Sequence, residues 1–135
     1  MLYYSGLSIS FITGVWHFFV PVLYEWYRYL PMQYQNLIVG IDYTNFSFSL
    51  LLSGLSLLLI VFGKKILSGN KELLAIYGFM TFVWGCRAAL TFIEPWPIEP
   101  VAWAAYGQLI AANILFIMLL IPLIVLIKKL RKKEA

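Results

Sequence analysis

Charge, cysteine and histidine are all scarce in this chain. Only 12% of its 135 residues are charged, against about a quarter in an ordinary soluble domain. The single cysteine, Cys86, rules out an internal disulfide and a thiolate metal cluster; inside an apolar run it reads as a small buried hydrophobe. The single histidine, His17, is too few for a multi-histidine metal site or for bis-histidine haem ligation within one chain. No glycine-rich phosphate loop, HExxH, GxSxG or CxxC pattern occurs. No metal or other cofactor is therefore expected. The first residues, Met1–Thr13, hold no basic side chain and no small-residue cleavage site, so no cleaved leader is expected there.

What fills the chain instead is apolar. Hydrophobic residues make up 62% and aromatics 18%, with a mean hydropathy of +0.85. That balance points to lipid as the solvent. The net charge is +4, but its placement argues against nucleic acid. Eight of the ten Lys/Arg lie in Gly63–Lys71 and Lys128–Lys133. Both clusters flank apolar runs, as topology signals do. The terminal cluster could also meet anionic lipid headgroups.

Four apolar segments follow one another. The first runs from Ser5 to Leu23 and continues into an aromatic belt at Tyr24, Trp26, Tyr27 and Tyr29. Pro21 removes a backbone donor above His17 and predicts a kink, and Pro31 predicts the helix end. The second covers Tyr43–Phe62 without a formal charge, after a polar connection whose Asn36–Ile41 portion is suited to the interface. Ser68-Gly69-Asn70 reads as a turn. The third segment is Leu73–Ile93, closed by the three prolines of Pro95–Pro100 and by Glu94 and Glu99; the fourth is Val101–Ile127. The sequence thus predicts an all-α fold, an integral membrane antiparallel four-helix bundle forming one domain over residues 1–135. Its helices are expected at about 5–29, 43–62, 73–93 and 101–127, with a basic tail at 128–135. The lysine clusters place both termini in the cytoplasm.

Arg87 is the costly residue of the third segment, since a charge at mid-bilayer costs roughly 2.5–3.5 kcal/mol on insertion scales. Three readings compete. It snorkels to the outer headgroups, it pairs with Glu94 or another carboxylate, or it serves a ligand directly. Arg87, Thr91 and Glu94 share one helical stripe, and Trp84 one turn away is placed to stack on the guanidinium. Antiparallel threading puts His17, Asn45, Ser49 and Gln108 at a similar depth, in the half away from the lysines, with Glu25 near the rim. On segment two, Asn45, Ser49, Ser53 and Ser56 form a polar stripe read as packing. On segment four, Ala104, Gln108 and Ala112 form one small-residue face, and Gly107 with Ala111 a second. The candidate pocket is accordingly His17, Glu25, Asn45, Ser49, Trp84, Arg87, Glu94 and Gln108.

Three functions fit. One is a bundle that binds a lipid-like or other apolar ligand, or a membrane-protein partner. Another is a small enzyme acting on a lipid or isoprenoid, with His17 as acid/base and Arg87 as anion clamp. The last is a subunit of an oligomeric transporter or channel, which a polar layer confined to half the membrane does not favour. A homo-oligomer is compatible with all three. The order of a histidine and glutamate in the first segment (His17, Glu25), an asparagine opening the second (Asn45) and a glutamine early in the fourth (Gln108) resembles small four-helix bacterial inner-membrane proteins. The resemblance implies a similar bundle and a bacterial source, and no activity.

Overall fold

A computed structural model describes residues 1–30, 33–96 and 102–134. Among the described residues all regular structure is helical: α1 Leu2–His17, α2 Val20–Leu23, α3 Trp26–Tyr29, α4 Gln35–Val61, α5 Gly63–Ser68, α6 Lys71–Ile93 and α7 Ala102–Glu134. Three stretches are long and apolar enough to cross a bilayer: Gln35–Val61, Lys71–Ile93 and Ala105–Lys132.

The first segment is not the continuous helix to Tyr29 that its composition suggests. α1 stops at His17, and the chain tightens through Phe18 and Phe19, whose N–H groups reach back only to Val15 (3.3 Å) and Trp16 (2.9 Å). The cause is Pro21. It sits four residues after His17, where its missing N–H would have satisfied the His17 carbonyl. Asn45 of α4 supplies the donor instead, its Nδ2 standing 2.9 Å from that oxygen. A second break follows at Glu25, whose backbone is left-handed with φ of 50°. Pro31 lies outside the described residues.

α4 already begins at Gln35 rather than Tyr43. The Asn36–Ile41 stretch expected on the interface is helical because no turn chemistry interrupts its apolar pattern. Ser68-Gly69-Asn70 forms the turn that its residues predict. Gly69 takes a φ of 103° to end α5, and the Asn70 side chain accepts the Leu73 N–H at 2.9 Å to cap α6. α7 carries the helix through the basic tail to Glu134 and accommodates Pro122 internally.

α1 and α4 run antiparallel, as do α6 and α7. Along the first pair, Tyr3 donates to the Leu59 carbonyl at 2.7 Å, while at the other end Asn45 meets His17. Along the second, Tyr77 donates to the Leu119 carbonyl at 2.7 Å and Arg87 meets Gln108. α1 joins the two pairs, with its Tyr3 ring 4.9 Å from that of Tyr77 and its Gly6 against Leu119. Lipid gives apolar side chains little reason to prefer one another, so close packing and interhelical hydrogen bonds hold such helices together.

Both means are visible on α1. Gly6, Ser10 and Gly14 recur every four residues and present a flat strip, all three buried. At Gly14 the approach is so close that a Cβ would stand 2.6 Å from the Ser53 backbone nitrogen and 2.9 Å from its Cα. At Ser10, the Trp84 indole donates at 3.0 Å, and the Ser10 and Ser56 hydroxyl oxygens are 2.9 Å apart. Ser56 also lies 2.7 Å from the Leu52 carbonyl. A hydroxyl has one proton, so these bonds are satisfied together when Trp84 donates to Ser10, Ser10 to Ser56, and Ser56 to Leu52. The chain ties α1, α4 and α6 at mid-depth. Removing the indole donor with Trp84→Phe is expected to lower stability by about 1 kcal/mol, measured by unfolding in detergent. A matching loss that vanishes in a Ser10→Ala background confirms the pairing, and two additive losses would refute it.

Cys86 departs from expectation. It faces outward from α6 and is exposed, because the buried stripe of this part of α6 is that of Thr81, Trp84 and Ala88. On α7, Ala112 is buried as the small-residue face predicts, and Ala104 is outside the described side chains. Gly107 and Ala111 instead face outward: a Cβ at Gly107 would meet nothing within 4 Å.

Candidate functional site

The eight sequence-selected residues do not form one pocket. Six of them divide into a group between α1 and α4 and a group between α6 and α7. In the first group, Asn45 holds the broken end of α1, and Ser49 is turned inward along its own helix, donating to the Asn45 carbonyl at 2.6 Å. Both serve backbone carbonyls. The His17 ring packs edge-on against Phe48, with centroids 5.0 Å apart. Its imidazole makes no hydrogen bond among the described residues.

Glu25 belongs to neither group. It forms an exposed ion pair with Arg28 at 3.2 Å, a contact of the kind worth little in water. Nearby, Tyr27 donates to Asp42 at 2.6 Å and tethers α3 to α4, a pairing that no spacing in the sequence announces. Trp84 is also elsewhere than predicted. Its indole is committed to Ser10 and is not stacked on Arg87.

The second group is the better-formed site. Arg87 Nη2 donates to Gln108 Oε1 at 2.8 Å across the α6–α7 interface. The two side chains line a recess of about 170 Å³, together with Leu90, Thr91, Glu94, Pro95, Trp96, Ala105, Tyr106 and Leu109. The stripe Arg87–Thr91–Glu94 does face one space, as its helical spacing requires. Ala105 leaves room on α7, and lower down the Phe116 ring packs on Gly85 and closes the gap. Arg87 and Glu94 share this recess without meeting: no ion pair within 4 Å joins them. The guanidinium has five N–H donors, and Gln108 is its only hydrogen-bond partner among the described residues. Glu99 lies outside the described residues.

Chemically, the recess offers a cation held by Gln108, a carboxylate, two aromatic rings and apolar walls. A polar group arriving at Arg87 would find several unused donors in surroundings where each is worth more than in water. Among the described residues no cluster of His, Cys, Asp and Glu could hold a metal ion.

These features define an all-helical protein with three helices capable of crossing a membrane. No family model, curated protein or solved structure matches the chain. Its function is therefore read from the geometry.

Proposed function

We propose that this is a multi-pass membrane protein that binds a lipid-like, amphipathic ligand through the recess between α6 and α7. The supporting observation is the Arg87 guanidinium, anchored by Gln108 at 2.8 Å and presenting its remaining donors to an apolar-walled space. The volume of about 170 Å³ falls below the roughly 300–1,000 Å³ of pockets that engulf a whole drug-sized ligand. It suits a headgroup-sized moiety whose tails remain in the bilayer. On this reading α1 with its kinked continuation completes an antiparallel four-helix bundle. The lysine-rich end is cytoplasmic and the recess opens in the outer leaflet half, as in a bacterial inner membrane.

Native mass spectrometry of protein extracted in mild detergent tests the reading. Wild type should retain lipid adducts, and Arg87→Gln should reduce them about tenfold, the effect of losing a charge-assisted hydrogen bond. The variant should still unfold cooperatively. Equal adducts on both proteins would remove Arg87 from ligand binding.

A second reading has one observation in its favour. Among the described residues the His17 imidazole makes no hydrogen bond, which leaves its ring nitrogens uncommitted, as an acid/base acting on a lipid or isoprenoid would need. Against it, His17 does not line the recess. Loss of turnover in His17→Ala with lipid adducts retained would favour the enzyme.

A further inference from the structure

We infer that the headgroup the recess takes is zwitterionic, with a phosphate directed to Arg87 and an ammonium to Glu94. The inference rests on the proposed ligand-binding role and adds the charge pattern of the ligand. Its basis is that Arg87 and Glu94 line one cavity yet are not in contact. Their seven-residue separation exceeds the three- and four-residue spacings at which side chains on one helix meet, so the carboxylate does not consume the guanidinium's donors and both charges stay available to a ligand. They stand seven residues apart on α6, which is ~10 Å along the axis at 1.5 Å per residue. A dipolar group fits between them, with its anionic end inward and its cationic end toward the mouth.

The other lining residues agree with that polarity. Trp96 and Tyr106 also line the recess and offer two aromatic rings, whose faces attract an ammonium. On the Arg87 side, Gln108 spends its amide oxygen on the guanidinium, leaving the amide nitrogen as a further donor for phosphate oxygens. Leu90 and Leu109 line the wall between, where acyl chains could run. A purely anionic headgroup would satisfy Arg87 but face the Glu94 carboxylate, and a purely cationic one the reverse.

The test uses the full chain reconstituted from equimolar phosphatidylethanolamine and phosphatidylglycerol, extracted in mild detergent, with retained lipid identified by native mass spectrometry. Wild type should retain the ethanolamine lipid over the glycerol lipid by about tenfold, the size of one charge-assisted contact. Glu94→Gln should bring the ratio close to one with total lipid largely kept, because the phosphate contact survives. Glu72→Gln, an exposed acid in the first turn at the other end of α6, should leave the ratio as in wild type. Glu94 is itself exposed at the helix end, so its substitution does not threaten folding. Retention of the glycerol lipid as strongly as the ethanolamine lipid by wild type would overturn the zwitterionic assignment and leave the lipid-binding reading standing. An unchanged ratio in Glu94→Gln would do the same. No retained lipid on wild type would overturn both.

Discussion

Gly14→Ala should destabilise the protein by about 2 kcal/mol, within the range for forcing a methyl group into packed structure, and Gly14→Val by more. The added carbon would lie 2.6 Å from the backbone nitrogen of Ser53. Backbone cannot swing aside as a side chain can, so α1 and α4 must separate. Separation loosens the contact of Ser10 with Ser56 one turn away, and with it the Trp84 bond. Unfolding in detergent micelles, followed by circular dichroism, measures the loss, and tryptophan fluorescence should report the disturbed indole. Gly54→Ala is the control. A Cβ there meets nothing within 4 Å, and replacing a helical glycine gains roughly 0.5–1 kcal/mol. If the two substitutions behave alike, the close approach of α1 and α4 does not exist.

Asn45→Leu should cost about 1–2 kcal/mol, since a half-buried carbonyl is left without a donor and hydrogen bonds between membrane helices reach about that strength. The specific expectation concerns Pro21. With Pro21→Ala, residue 21 regains an N–H and can close the helical bond to His17, so Asn45 becomes dispensable. In the Pro21→Ala background, Asn45→Leu should therefore cost much less, a coupling that a double-mutant cycle reads directly. Additive losses would show that Asn45 supports the fold in some other way. Pro21→Ala alone is also expected to lengthen α1, visible as added helical ellipticity.

Much of the architecture could be read from the sequence because it depends on strong local signals. The apolar runs, the Ser68–Asn70 turn and the stripe Arg87–Thr91–Glu94 each follow from composition and helical period. The kink at Pro21 was legible too, but its remedy was not. Which donor replaces a missing N–H depends on the neighbour that happens to lie alongside, and Asn45 looked like a pocket residue when only its depth was known. Depth is the coordinate that threading supplies; rotation about each helix axis is not. For that reason residues at one level divided between two interfaces, Trp84 turned to Ser10, and Cys86 turned outward. The recurrence Gly6–Ser10–Gly14 was a readable sign of tight packing, obscured by the polar content that made the segment look weakly apolar.

Cys86 offers a native reporter. It is the chain's only thiol, exposed, and adjacent to the arginine of the recess. A nitroxide attached there needs no background substitutions. Its relative accessibility to dissolved oxygen, which concentrates in hydrocarbon, and to a water-soluble relaxation agent would give the immersion depth of this turn of α6. The same label would report local changes as the neighbouring cavity fills, turning a lone surface thiol into a gauge of occupancy.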